Sequence, residues 1–574
     1  MKKRHDGDEW DECGDGWLAF LHPITPSPHH PIFFFLFICA ICAICGYPSS
    51  AGERPRTVKN VYFTSWQYVR YNYFSYVGKD GKPLGAGSDN DAGAAFSFRS
   101  PRGIRLSARR PEHLKLDDPL GADPAGLPVA FNVIQHEGKY KCWYAVHPPA
   151  SEAAPPGHGH NHRICYAESA DGFAWIKPSL GLIDAAGSKD NNVVFTPAMG
   201  GPERGIHGQC VFLDDSGSPG RFKMVYLGHF TKDEVAAYRA KYPEDVDPMA
   251  LKPDGSAWGI AGAGSPDGIH WNALPEPMVL QHSDTFHSAC YDARRGRYVC
   301  YNRIWPSDPA LPESGGAGKR SVGRSISGAI SADFRHFSLA EVLLTPGADD
   351  LPSHLWYGPC DTHLPGCPDQ QVMFPFRWDL EADVMTMPLL STPDGWVWSQ
   401  VPGGPVLTSG QPGEWDGGYV LPCTNLIELP GGRWALPYRG FPIRHKYPRI
   451  DPAKRELYSG VAAGTGCAIW PKGRLVALEC DDEGEFETLG VVPAGTRVFL
   501  NASVKPAGWI KVGVRAEYAP IAGRSADDCD PITAADGLEI PVTWKGQAEM
   551  NNAGKWVILH FRLRHANLFG IEFR

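Results

Sequence analysis

Five short stretches of the chain set acids or histidines beside glycine and aromatic residues. HSDTFHSA (282–289) carries Asp284 between His282 and His287, and GEWDGGYV (413–420) carries Glu414 and Asp416 around Trp415. WYGPCDTH (356–363) offers Asp361 and His363, GIHGQCV (205–211) offers His207 but no acid, and KLDDPLGADP (115–124) offers Asp117, Asp118 and Asp123. Two carboxyls facing each other can divide acid–base work when their surroundings keep one protonated and the other ionised. A loop Asp more commonly accepts hydrogen bonds from nearby amides and fixes a turn. Asp284 and Asp416 lead the candidates because each sits where a strand begins; Glu414 and Asp361 follow them.

A sixth stretch, YRGFPIRHKYPR (438–449), packs three Arg, one His, one Lys and two Tyr into twelve residues. Arg439, His445, Lys446 and Arg449 could form a cationic, aromatic rim for sugar hydroxyls or for an anionic group such as a uronate or sulfate. The plainer reading is a solvated loop. Arg324, in SVGRSIS, is a further cation of this kind, and Trp356, Tyr357 and Trp415 would suit stacking against the apolar face of a sugar.

The elements that must position these residues are legible as repeats. SADGFAW (169–175), SPDGIHW (265–271), the decayed SADFRHF (331–337) and TPDGWVW (392–398) are one phrase used four times. A second phrase comes earlier in each unit: GKYKCWYAV (138–146), GRFKMVYLG (220–228), GRYVCYNRI (296–304) and GGRWALPYRG (431–440). Each starts at a Gly turn and alternates into aromatic and β-branched positions, as a strand leaving a hairpin does. A further short strand precedes each one: AFNVIQ, GQCVFLD, HSACYDA and CTNLIELP. The unit is strand, Gly hairpin, strand, loop, strand, Asp-Gly turn, Trp strand. Such four-stranded meanders arranged around an axis make a β-propeller. Five blades are predicted, at about 125–190, 191–280, 281–348, 349–410 and 411–490. The Asp-Gly turns are therefore architectural, and Asp171, Asp267 and Asp394 are not expected to be catalytic.

Residues 48–124 read as a linker and N-terminal cover that supplies a closing strand to the propeller of 125–490. From 491 to 574 the strands RVFLNASV, WIKVGVRAEY, LEIPVTWKG and KWVILHFRLRHANLFGIEF have the spacing of a small β-sandwich. The expected fold class is all-β, a five-bladed β-propeller followed by that sandwich. Asn501 lies in an Asn-Ala-Ser sequon.

Composition narrows the partners. The net charge of −9 lacks the basic footprint that nucleic acid requires. PIFFFLFICAICAICG (31–46) resembles a signal-peptide core, so residues 1–47 are expected to target the chain for secretion or to the periplasm, with a membrane anchor as the alternative. Eleven Cys follow residue 47 at scattered spacings with no C-x-x-C and His set, which argues against a zinc site. Cys360 and Cys367 bracket a loop and could pair in an oxidising compartment. HPPASEAAPPGHGHNHR (147–163) puts His147, His158, His160 and His162 in a Gly/Pro run, expected to be an unstructured insert or at most an adventitious metal binder. No cofactor or metal is called for.

YAESADGFAWIKPSLGLIDAAGSKDNNVV (166–194), DTFHSACYDARRGRYVCY (284–301), RHKYPR (444–449) and the tail DDCDPI…PVTWKG…FRLRHANLFGIEF resemble a group of exported bacterial proteins similar to the five-bladed propeller glycosidases, the family 32 and 43 glycoside hydrolases. The resemblance covers roughly 125–574. The Trp-Met-Asn-Asp-Pro-Asn-Gly, Arg-Asp-Pro and Glu-Cys motifs of family 32 are absent, so no nucleophile or acid is carried over from it. The resemblance implies an exported hydrolase that cleaves terminal glycosidic bonds of plant or algal oligo- or polysaccharides. Two carboxyls, drawn from Asp284, Asp416, Glu414 and Asp361, would face across the scissile bond in the propeller funnel. His207, His287, Arg324, Tyr357, Trp415, Arg439, His445, Lys446 and Arg449 would bind the substrate. Two alternatives stand beside it: a carbohydrate-binding propeller without catalysis, and a propeller enzyme of another class, a lyase or sulfated-glycan enzyme. A Tyr/His pair in place of the acid pair would point to the latter.

Overall fold

Five antiparallel sheets follow one another along the chain. The computed structural model describes residues 56–70, 76–77, 83–84, 101–117, 120–121, 127–148, 161–185, 187–201, 204–306, 323–446 and 461–574. Blade one runs Leu127–His136, Lys139–His147, Arg163–Ser169 and Trp175–Ile176 from inner to outer strand, with Val193–Phe195 also paired to the third. Blade two is His207–Leu213, Phe222–Phe230, Ala257–Ser265 and Asn272–Ala273. Blade three is Ser288–Asp292, Arg297–Ile304, Ser325–Ser331 and Glu341–Leu344. Blade four is Asp361–Leu364, Cys367–Met373, Val384–Thr392 and Ser399–Thr408, enlarged by the paired strands His354–Gly358 and Phe376–Asp379. Blade five combines Tyr419–Pro422 and Ile427–Leu429 with Arg433–Phe441 and Gly464–Pro471. Its outer strand is Glu112–Lys115, which arrives from before blade one and pairs with Gly466–Ile469. The first and last parts of the propeller are thus joined in one sheet, which closes the ring.

Strand alternation gives each blade two apolar faces, and the core lies in layers between blades. Trp143, Tyr166, Phe222 and Tyr226 fill the space between blades one and two. Phe212, Tyr298 and Phe337 fill the next, and Tyr301, Trp356 and Trp398 the one after. The repeated Asp-Gly phrase tightens these layers. Asp267 Oδ1 accepts the amides of Ile269 and His270 at 2.8 Å, and Ser265 Oγ accepts the Gly268 amide at 2.8 Å. Asp171, Asp333 and Asp394 build the same turn. Gly172, Gly268 and Gly395 hold φ of +82°, +82° and +75°, which glycine adopts without strain; in the decayed copy Phe334 takes +60° instead. The turn also offers a carbonyl to the preceding blade: Trp143 Nε1 donates to Gly268 O at 2.6 Å, and Tyr301 Oη to Gly395 O at 2.6 Å. These acids are structural, as their repetition implies.

The C-terminal strands are hydrogen-bonded into a single sheet. Hydrogen bonds join Val498–Ala516, Val557–Phe573, Asp536–Pro541 and Ala519–Pro520 to Val476–Glu487, Arg105–Ala108 and Asn60–Tyr62 in one seven-stranded sheet. Its apolar side is continuous with the core of blades four and five. Strands from the N-terminal segment complete it, a pairing that local spacing cannot reveal.

Two local expectations fail. The eleven described cysteines form no disulfide. The hairpin after Asp361 sets Cys360 opposite Phe374, whose amide donates to its carbonyl at 2.9 Å, while Cys367 faces Leu364. The sequon residue Asn501 is buried in a strand, with its amide donating to Lys472 O at 2.7 Å and accepting from Arg474 Nε at 2.9 Å, so it is no glycan acceptor. Residues 1–55, which hold the apolar run, lie outside the described residues. No helix among the described residues is long and apolar enough to cross a membrane.

Candidate functional site

The inner strands begin at one end of the propeller axis and finish at the other, and a cavity occupies each end. At the starting end a funnel of about 440 Å³ takes residues from every blade. His147 ends the second strand of blade one and His162 precedes the third; His207 opens the inner strand of blade two. Asp284 and Phe286 lead into blade three, Tyr357 into blade four, and Tyr419 opens blade five.

Five of the residues singled out by sequence, with Asp284 the sixth, meet there: His207, Arg324, Tyr357, His445 and Lys446. Tyr357 Oη and His445 Nε2 are 3.1 Å apart. His445 is boxed by the rings of Tyr357, Trp378 and Tyr419 at 5.1 to 5.4 Å. Its loop is pinned from below: Asp383 Oδ2 accepts the Lys446 amide at 2.7 Å, and Arg444 Nη1 donates to Ala382 O at 2.7 Å. Arg324 lies over the rings of Tyr357 and Trp378 at 5.1 and 5.3 Å. Its Nη1 is buried with no hydrogen-bond partner among the described residues, and burial lowers its pKa. Such a cation is held at a desolvation cost that an anion would offset.

Asp284 does not stand free. The Arg303 guanidinium pairs with its carboxyl and also donates to Tyr357 O at 3.2 Å and Asp284 O at 3.3 Å. Arg303 is 1% exposed, and burial together with the like charge of Arg324 lowers its pKa to about 9. Sequence reading missed Arg303, although an Arg inside the apolar run YVCYNRI was a visible signal. Trp378 and Phe441 were also missed. His147 and His162 were read as part of a loose insert. His147 ends one strand and His162 precedes its paired neighbour, and their Nε2 atoms approach to 3.3 Å in the funnel wall. His158, His160, Asp118, Asp123 and Arg449 lie outside the described residues.

The other predicted residues go elsewhere. Glu414 and Asp416 do not line the funnel. Asp416 sits under blade five, accepts from Tyr438 Oη at 3.2 Å, and has its carboxyl pKa raised by burial. Glu414 Oε2 accepts the Gln411 amide at 2.7 Å, the turn role of an ordinary loop acid. Trp415 stacks on Tyr438 and covers Gly464 and Gly466. Arg439 is buried and donates to Thr465 Oγ1 at 3.0 Å. His287 is wholly buried, contacts Gly208 O through Nδ1 at 2.6 Å, and ties blade three to blade two. Trp356 is buried between blades three and four. Asp361 lies at the far end of the axis, where burial pushes its carboxyl up to about 8. The expected carboxyl pair is therefore not assembled in the funnel, which among the described residues holds one carboxylate, bound to an arginine, beside a Tyr–His pair.

No protein-family model matches the chain, and no curated protein matches it. Solved structures similar to it include a glycoside hydrolase family 43 arabinoxylan arabinofuranohydrolase from Bacillus subtilis in complex with cellotetraose, at 10% identity and TM-score 0.33, covering 78% of this chain and 96% of that one. An N-acetylgalactosamine deacetylase from F. plautii in complex with blood group B trisaccharide matches at 13% and 0.36, over 59% and 86%. A β-1,2-mannobiose phosphorylase from Listeria innocua matches at 10% and 0.37, over 63% and 99%. Scores this low fix neither a substrate nor a residue's role.

Proposed function

We propose that the protein is an exported carbohydrate-active enzyme that takes an acidic saccharide into the funnel and cleaves its glycosidic bond. The observation that carries the reading is Arg324, whose Nη1 is buried in the funnel wall beside the Tyr357–His445 pair with no hydrogen-bond partner among the described residues. A uronate carboxylate would satisfy that guanidinium in bidentate fashion. With the carboxylate neutralised, His445 takes the proton from C5 of the uronate. The electron pair forms the C4–C5 double bond, the C4–O bond breaks, and Tyr357 gives its proton to the departing oxygen. The proton on His445 then returns across the 3.1 Å contact to Tyr357. Trp378, Tyr419 and Phe441 supply the apolar wall against which a sugar face stacks.

A second reading, hydrolysis, is favoured by Asp284, which faces the cavity and could serve as one of the two carboxyls. The test is product analysis of the secreted protein on uronic, sulfated and neutral plant and algal glycans. An unsaturated uronide product that vanishes in Tyr357→Phe supports elimination. A saturated reducing end that vanishes in Asp284→Asn supports hydrolysis. Tight binding without a product identifies a carbohydrate-binding propeller and overturns both.

A further inference from the structure

The far end of the axis carries a second cavity, of about 380 Å³, formed where the five inner strands finish. Asp361 and His363 stand two apart on the inner strand of blade four, so strand alternation sends both side chains to one face. That face meets the inner strand of blade three at Cys290. The Cys290 sulfur, an Asp361 oxygen and a His363 nitrogen all lie within 4.8 Å of one another, and all three residues line the cavity.

We infer that Cys290, Asp361 and His363 form a binding site for a divalent transition ion of the zinc class, bridging blades three and four at the end of the axis opposite the funnel. A thiolate, an imidazole and a carboxylate are a borderline-soft donor set that suits such an ion, and three protein ligands leave a position open to the cavity. A second observation points the same way. Asp361 is 4% exposed, and although its carboxyl interacts with the Cys290 thiol, its Oδ1 has no hydrogen-bond partner among the described residues. Buried carboxylate oxygens are normally satisfied, and an orphan one beside a thiol and an imidazole is what a missing cation would leave.

The surroundings hold the ligands in place. Ser288 Oγ donates to Asp361 O at 3.1 Å and accepts the Asp361 amide at 2.9 Å, which locks the two inner strands together next to the ligands. Gln371 Nε2 approaches Cys290 Sγ at 3.7 Å, and Gln371 Oε1 accepts from Arg294 Nη2 at 3.1 Å. Supporting bonds of this kind fix ligand orientation. Spacing in the sequence could not show the site, because Cys290 and Asp361 are 71 residues apart and meet only when blades three and four become neighbours.

Cobalt(II) titration of the chelator-treated full-length protein tests the assignment. The expected result is one ion per chain with a thiolate-to-cobalt charge-transfer band in the near ultraviolet, bleached when zinc is added. Cys290→Ser removes the band. His363→Ala weakens zinc by at least about 100-fold, more than loss of a supporting residue typically costs. Zinc raises the melting temperature of the native protein but not of either variant. His162→Ala keeps the band, which separates this site from the funnel histidines. The inference is overturned if cobalt gives no thiolate band, if the band survives Cys290→Ser, or if the metal is lost with His162→Ala.

Discussion

Where the inner strands begin, the propeller collects arginines, a lysine, histidines and aromatic rings around one ion-paired carboxylate. Where the same strands finish, it collects a thiol, an imidazole and a carboxyl, with the Arg294 guanidinium nearby. The blade repeat accounts for both ends. Middle positions of the inner strands meet across the axis, as Asn132 and Cys210 do at Thr424, and the two cavities are lined mainly from the strand ends. Two chemically different sites therefore occupy one set of strands without competing for positions.

The sharpest way to break this comparison is to change one end and read the other. His445→Gln and Tyr357→Phe are expected to lower kcat on an acidic glycan by roughly 10³-fold, within the range for general acid–base groups. Arg324→Gln is expected to cost about 10²-fold in kcat/KM on acidic substrates and little on neutral ones. All three should leave cobalt binding unchanged. Steady-state kinetics and metal titration on the same preparations check this, and a funnel variant that lost the metal would erase the division between the ends.

Asp284→Asn sharpens it further. Arg303 would remain buried without its countercharge. Breaking such a pair costs about 3–5 kcal/mol when both groups are buried. Here Asp284 is partly exposed and Arg303 keeps two carbonyl acceptors, so about 2 kcal/mol is expected in urea unfolding.

A smaller effect lies between the ends. Burial holds His287 neutral, lowering its pKa from 6.5 to about 4. The folded state then binds fewer protons than the unfolded one in that interval. Its contribution is complete above pH 6.5 and is lost as pH falls towards 4. Urea midpoints at pH 7 and pH 5 should show the decline, and His287→Gln should flatten it.

The smallest effect belongs to the repeat. Asp267→Ala removes the acceptor of two amides and should cost about 1 kcal/mol without altering turnover. The carboxyl pKa of Asp267 is lowered, chiefly by those amides and the His270 bond acting against burial. Its contribution is therefore present above the ordinary carboxylate range and fades as acid protonates it. Loss of activity in this variant would make the turn more than architectural.

Much of the fold was legible because its determinants are local. A Gly hairpin, an alternating strand and an Asp-Gly turn each depend on neighbours a few residues apart. Repetition turned four weak signals into a propeller, and it separated Asp171, Asp267 and Asp394 from catalysis. Position at a strand start marked Asp284 and His207, while Arg324 and His445 were marked as cations and Tyr357 as a stacking ring; all five line the funnel. Position misled at Asp416 and His287, which turn into packed interiors, and at Glu414, an exposed loop acid that holds the Gln411 amide. The direction of a side chain leaving a loop is set by the blade it meets, not by the residues beside it.

Sequence alone determined the blade unit, its number of copies and the candidates at each strand start. Tertiary structure decided which of them face one another. It paired Arg303 with Asp284, set Tyr357 against His445, closed blade five with Glu112–Lys115, and drew strands near residues 60 and 105 into the C-terminal sheet. It also brought Cys290 to Asp361 and His363. The physical reason is common to all of these. Turns and alternation are fixed by steric and hydrogen-bonding rules within a few residues, whereas each of these meetings spans tens to hundreds of residues and exists only once the ring of blades has closed.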